Sequence, residues 1–165
     1  SIHCHWLNKN APPKSMIGCY YMKVFVSGQI SEKHKIKFVY SRLREAGFEI
    51  THDWTCTDDL AVCDKFTKEA EIRAAKDIEG VCNADFYVII TDNETCGKGM
   101  YVELGAALAL STIGRPIPIY VLGPKNHPSI FYSHPRCINM ETLDSCIADM
   151  KLRSRETAST ELEMA

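Results

Sequence analysis

The sequence predicts an α/β protein: a single doubly wound parallel sheet of about five strands with helices on both faces. Three observations predict it. Short apolar, β-branched runs alternate with helical stretches from one end of the chain's patterned region to the other. Residues 85–90 (DFYVII) are nearly all apolar, as a central strand covered on both faces requires. The composition, 45% hydrophobic and 24% charged over 165 residues, is that of an ordinary globular domain, and no apolar run approaches the ~18 residues of a membrane span.

The elements follow in order. Residues 23–28 (KVFVSG) form a short buried strand closed by a glycine. Ser31 opens a capped amphipathic helix whose apolar face is Ile36, Val39, Tyr40 and Leu43, and Ala46-Gly47 ends it. Residues 48–52 are a second strand, and the polar stretch 53–64 leads into a helix over about 65–81. Phe66, Ala70, Ile72, Ala75 and Ile78 form the apolar stripe of that helix. After the third strand a glycine-bearing loop, 92–99, precedes an apolar helix over 101–110. Residues 116–122 (PIPIYVL) are a fourth strand with prolines at its entry. A fifth strand near 136–139 and a helix over about 141–150 complete a flavodoxin- or Rossmann-like order, in which ligands bind at the carboxyl ends of the strands.

One domain, residues 22–150, is therefore expected between a flexible N-terminal extension, 1–21, and a frayed or disordered tail, 151–165, which has charge but no large apolar face. Nineteen Lys+Arg against 21 Asp+Glu leave a net charge of −2, which argues against a nucleic-acid-binding surface spread over the molecule. Eight cysteines are about 5% of the chain, below the ~8–10% of a disulfide scaffold, and no signal peptide precedes them. They read as reduced, small hydrophobes of a cytoplasmic protein. His3, Cys4, His5 and Cys19 lack zinc-site spacing, so no metal is expected there.

The strand ends hold the candidate chemistry. Gly28, Gln29 and Ser31 follow the first strand, where a glycine turn opening a helix either holds an anion or only serves backbone geometry. His52 and Trp54 follow the second. Trp54 is a base-stacking residue, a lid or an oligomer contact, and neither His52 nor His134 is distinguished from an ordinary histidine by its spacing. The richest loop carries Thr95, Gly97, Lys98 and Gly99 before Glu103, an acid inside an apolar helix. Glu103 is either solvent-facing or, if it points into the cleft near the helix N-terminus, held ionised by the dipole and suited to be a nucleophile. Asp77 is a solvated helix acid unless it converges with Glu103 on one cleft, whereas Asp85 reads as a cap or turn residue.

Over about residues 23–122 the chain resembles the nucleoside 2-deoxyribosyltransferase-like family, which includes N-glycosidases of (deoxy)nucleoside 5'-monophosphates. The pieces that carry the resemblance are KVFVSG, the D-I-x-x-x-x-x-A-D pattern from Asp77 to Asp85, the strand FYVII, and Gly97-Lys98-Gly99 followed by Glu103-Leu104-Gly105-Ala106-Ala107. The resemblance implies cleavage of an N-glycosidic bond through a covalent deoxyribosyl ester on Glu103, with Asp77 contacting the substrate and assisting the leaving base. Transfer then goes to a second base or to water, without a cofactor. It also implies a nucleoside or nucleotide partner and a homodimer or larger homo-oligomer.

The chain departs from the family pattern in specific places. Phe25 stands where a strand-one tyrosine often bonds the nucleophile, with Tyr101 a conceivable substitute. Thr95 stands where nucleoside transferases have an aspartate, and Gln29 and Ser31 replace the arginine of the monophosphate hydrolases. Two extra residues separate the G-x-G from the glutamate relative to some members. Ser31, Thr95 and Lys98 could hold a 5'-phosphate at two helix N-termini, or Lys98 is only a solvated loop lysine. Two other readings keep the fold: a glycohydrolase acting on a dinucleotide such as NAD, and a non-catalytic nucleotide-sensing module.

Overall fold

The computed structural model describes residues 21–57 and 66–165. Residues 1–20, with the candidate ligands His3, Cys4, His5 and Cys19, lie outside the described residues, as do 58–65. Five strands, β1 (Lys23–Ser27), β2 (Glu49–Ile50), β3 (Phe86–Ile90), β4 (Ile119–Leu122) and β5 (Cys137–Met140), form one all-parallel sheet in the order β2-β1-β3-β4-β5. The helices are α1 (Lys33–Glu45), α2 (Lys68–Cys82), α3 (Lys98–Thr112) and α4 (Leu143–Met164). The strand order reverses between β1 and β3, so the crevice at the ends of these two strands is the topological switch point where ligands of such sheets bind.

Alternation along the strands divides the core in two. Val24 and Val26 of β1 pack with Ile36, Tyr40 and Leu43 of α1 and with Cys146 and Met150 of α4. Phe25, Tyr87 and Ile89 face the other way, onto Met100, Leu104 and Ala107 of α3. All five β3 residues are buried, as its apolar run predicts. α1 ends in a Schellman motif: Phe48 N–H donates to Leu43 O and Gly47 N–H to Arg44 O, with Gly47 at φ +92°.

The structure moves several expected boundaries, each for a physical reason. Ser31 does not cap α1. It sits in a 3-10 turn, Ile30–Glu32, capped by the Gln29 side chain, and α1 starts after it without a side-chain cap. β2 is only two residues long because Trp54 replaces its continuation: the indole N–H donates to Val26 O at 2.8 Å, where a longer β2 would have paired. α4 runs on from Met150 to Met164, supported by an Arg153–Asp149 pair at 2.8 Å and by the absence of Gly or Pro. No described helix is long and apolar enough to cross a membrane.

Of the apolar stripe expected on α2, only Ala70 turns inward. Phe66 precedes the helix and is 98% exposed, while Ile72 and Ile78 are 40% and 36% exposed. The inward face instead runs through Ala70, Arg73 and Asp77 to the buried pair Gly80 and Val81. Only the last turn of α2 reaches the sheet, and Gly80 sets its rotation. A Cβ there would lie 2.9 Å from His52 Cβ and from two Phe25 ring carbons, and Thr51 Oγ1 donates to Gly80 O at 2.8 Å. One turn back, this rotation swings Asp77 inward. Gly80→Ala should therefore destabilise the protein by a net ~1–2 kcal/mol, since overpacking against a buried ring costs more than the ~1 kcal/mol that alanine adds in a helix. The shift in urea midpoint measures it, and a midpoint that rises instead would contradict the fit.

Five cysteines, Cys56, Cys82, Cys96, Cys137 and Cys146, are free among the described residues. Only Cys146 is fully buried, so the reading of the cysteines as small core hydrophobes holds for it and fails for the exposed Cys56, Cys82 and Cys96.

Candidate active site at the switch point

β1 ends in a polar residue, Ser27, with no exposed surface. Its side chain points to the α3 side of the sheet, two residues on from Phe25. There the Ser27 hydroxyl donates to Glu103 Oε2 in a short hydrogen bond, and Tyr87 of β3 donates to Ser27 Oγ at 2.6 Å. Glu103 is in the second turn of α3 and only 9% exposed. It is thus neither solvent-facing nor held ionised by the helix dipole, whose influence fades beyond the first turn. Burial dominates and pushes the carboxyl up; the Ser27 bond pulls it down and the nearby Asp77 charge pushes it up, and the net places Glu103 at about 8.

Asp77 converges on the same end of the sheet. Its side chain is 30% exposed, and its Oδ1 lies 3.4 Å from His52 Nε2. That approach lacks hydrogen-bond geometry, which leaves Oδ1 buried without a hydrogen-bond donor among the described residues. Burial raises the Asp77 carboxyl, while His52 and Arg73 act in the opposite direction. His52 is thereby placed beside a candidate catalytic acid. His134 is not: its Nδ1 accepts from Arg136 N–H within its own turn.

The remaining candidates separate into structural and open positions. Gly28 serves packing, because a Cβ there would meet Ile36 Cδ1 at 2.3 Å. Gly97 permits the approach of Gln29, whose Oε1 would lie 2.5 Å from an added Cβ, whereas nothing lies within 4 Å of one added at Gly99. Gln29 joins the first and third loops, since its Nε2 donates to Thr95 Oγ1 at 2.7 Å and its Oε1 accepts from Ile30 N–H at 3.1 Å. Of the two helix N-termini expected to hold a phosphate, that of α1 begins only at Lys33, beyond Ser31, and that of α3 meets its candidate residues directly. It follows Gly97 without a side-chain cap and carries the exposed Lys98 as its first residue. Ser31 is exposed in the three-residue turn, whose leading amide Gln29 already occupies.

Trp54 is fixed rather than lid-like, bonded to β1 and packed against both halves of the core. Asn93 and Glu94 form the loop: Asn93 donates to Ile90 O at 2.9 Å, and Glu94 N–H donates to Glu32 Oε2 at 3.3 Å. Asp85 accepts from Lys23 N–H at 2.8 Å, the capping role its position suggests. Tyr101 does not reach the nucleophile position. Its hydroxyl accepts from Cys96 Sγ and from the Tyr132 hydroxyl, each at 3.3 Å.

Sequence reasoning missed Ser27 and Tyr87 as partners of Glu103. The available signal was a hydroxyl ending an otherwise buried strand, on the same face as Phe25. A groove of about 420 Å³ beside Lys35, Phe38, Asp92 and Leu143 includes neither carboxylate, and neither does another of about 430 Å³ along the start of α2. Asp77 lies near enough for its charge to act on Glu103, and that proximity, not groove size, defines the candidate site. No group of three or more His, Cys, Asp or Glu among the described residues could hold a metal ion.

No protein-family model matches the chain, and no curated protein sequence matches it. Solved structures do. A conserved protein from Enterococcus faecalis V583 is 15% identical with a TM-score of 0.55, the match covering 81% of this chain and 99% of that one. A CMP N-glycosidase of Clostridium botulinum, BcmB, is 15% identical with a TM-score of 0.48 over 79% of this chain and 98% of that one. At such identity the likeness speaks to the fold alone.

Proposed function

We propose that the protein cleaves the N-glycosidic bond of a (deoxy)nucleoside or its 5'-monophosphate, with Glu103 as nucleophile and Asp77 as the acid beside the leaving base. The observation that carries this is the convergence of the two carboxylates at the switch point, one gripped through a single oxygen and the other with a buried oxygen lacking a donor. The Glu103 carboxylate attacks the anomeric carbon. The carbon–nitrogen bond breaks, its electron pair leaves with the base, and the base takes a proton from Asp77 or solvent. Water or a second base then displaces the carboxylate. The oxocarbenium character of the transition state is stabilised by the adjacent negative charge, and burial raises the Asp77 carboxyl, the direction a proton donor needs.

Lys98 and the uncapped start of α3 are the proposed seat for a 5'-phosphate, beside Gly97, Gly99 and Thr95. We propose a homodimer as well. It is supported by the family resemblance and by the exposed apolar side chains Val102, Ala109 and Ile113 on the outer side of α3. A monomeric mass by light scattering at micromolar concentration would exclude it.

The burial of Glu103 favours a second reading, a nucleotide-binding module without turnover: a carboxyl that burial pushes up to about 8 is mostly protonated at neutral pH. The deciding experiment incubates the protein separately with deoxynucleosides plus an acceptor base, deoxynucleoside monophosphates, ribonucleotides and NAD, and follows free and exchanged base by chromatography. Release from monophosphates alone identifies the hydrolase, and base exchange identifies the transferase. Binding without turnover at pH 7 and pH 9 identifies the module.

A further inference from the structure

Glu103 sits in a helix that is apolar on every side, so its ionised form needs a donor and its protonated form an acceptor. Phe25, stacked against Tyr87 at 6.2 Å with the rings nearly parallel, supplies neither. Both come from a chain of hydroxyls. Ser27 Oγ is bonded to Glu103 Oε2, Tyr87 OH is 2.6 Å from Ser27 Oγ, and Tyr87 OH is also 3.4 Å from Met100 O. Each hydroxyl has one proton and accepts at least one more. With Glu103 ionised, Tyr87 donates to Ser27 and Ser27 donates to the carboxylate. With Glu103 protonated, every rotor turns around: the acid donates to Ser27, Ser27 to Tyr87, and Tyr87 to the Met100 carbonyl. Glu103 Oε2 and the two hydroxyls keep their partners in either state. The other carboxyl oxygen, Oε1, takes no hydrogen bond among the described residues.

We propose that Tyr87 and Ser27 form a reversible hydrogen-bond relay that holds Glu103 Oε2 in both protonation states and leaves Oε1 to meet the substrate. The relay rests on the reading of Glu103 as the reacting carboxylate, and it makes Ser27 and Tyr87 positioning residues, since neither is placed against the substrate. Tyr87 lies wholly within the core and reaches Glu103 only through Ser27.

The test is the titration midpoint of the Glu103 carboxyl, read by isotope-edited infrared difference spectra against Glu103→Gln, in wild type, Ser27→Ala, Tyr87→Phe and the double variant. A hydrogen bond to an ionised group supports a rise of about 1–2 pH units on its loss. Ser27→Ala is therefore expected to raise the midpoint by about that much, and Tyr87→Phe by a smaller amount, because it only weakens the donor. The double variant should rise no further than Ser27→Ala alone, as two members of one series must. If base release is found, the alkaline shift of its pH profile should match the infrared shift, with kcat affected more than KM. Unchanged midpoints in folded Ser27→Ala and Tyr87→Phe overturn the relay. So does an additive double variant. Because the infrared readout needs no turnover, a protein that releases no base would defeat the proposed function, while the midpoints would still decide for or against the relay.

Discussion

Glu103→Gln abolishes base release on whichever substrate the wild type accepts, with an expected loss of at least about 10³-fold, while ligand binding is retained. The amide matches the carboxyl in shape and keeps a partner for Ser27 Oγ, but it cannot form the glycosyl ester, and loss of a nucleophile commonly costs this much or more. The wild-type rate should also climb as pH rises through about 8, because only the ionised carboxylate attacks. Asp77→Asn should remove any fall in rate on the alkaline side of that profile, where a required acid loses its proton, and should affect poor leaving bases more than good ones. Chromatography of the released base across pH 6–9 checks both. Turnover of Glu103→Gln near the wild-type rate would remove Glu103 from the mechanism.

The same substitution has an opposite effect on stability. The Glu103 carboxyl is raised in the folded protein from 4.5 to about 8, so between those values the folded state holds a proton that the unfolded chain has released. Its contribution is therefore complete below the unfolded value and is lost as pH rises through the folded one. Between pH 6 and pH 9 about two units of that window are crossed, which corresponds to about 2–3 kcal/mol. Glutamine does not titrate. Wild type should lose that much more stability than Glu103→Gln over this range, and the variant should be the more stable protein above pH 8. Urea unfolding of both at pH 6 and pH 9 measures the difference, in which the other titrating groups cancel. Parallel loss in the two proteins would show that Glu103 is not strained by burial.

The two expectations together describe a group held against its own stability for the sake of reactivity. A solvated carboxylate would cost the fold nothing, but it would be a poorer nucleophile and would stabilise the oxocarbenium less. Under the proposed function that role falls to Glu103, a buried acid at the point where the strand order reverses.

The sequence by itself determined the sheet. The DFYVII run could only be a doubly covered central strand, and the alternation of strand and helix implied the parallel order that the structure shows. Gly47 ended α1 where its positive φ required. It also singled out Glu103, because a carboxylate amid Val102, Leu104 and Ala106 has no local reason to be there. Periodicity failed on α2, where the apolar residues that are regular in sequence face outward and Asp77 turns inward. The rotation of that helix depends on one close fit, Gly80 against Phe25 and His52, and no helical period encodes the surface it must meet. The ionisation of Glu103 was likewise decided by tertiary structure. Local sequence offered the helix dipole, but desolvation by the surrounding core outweighs a dipole that fades within a turn. Ser27 and Tyr87 lie 76 and 16 residues from Glu103 along the chain, and only the pairing of β1 with β3 beneath α3 lines their hydroxyls up in series on one carboxyl oxygen, Ser27 directly and Tyr87 through it.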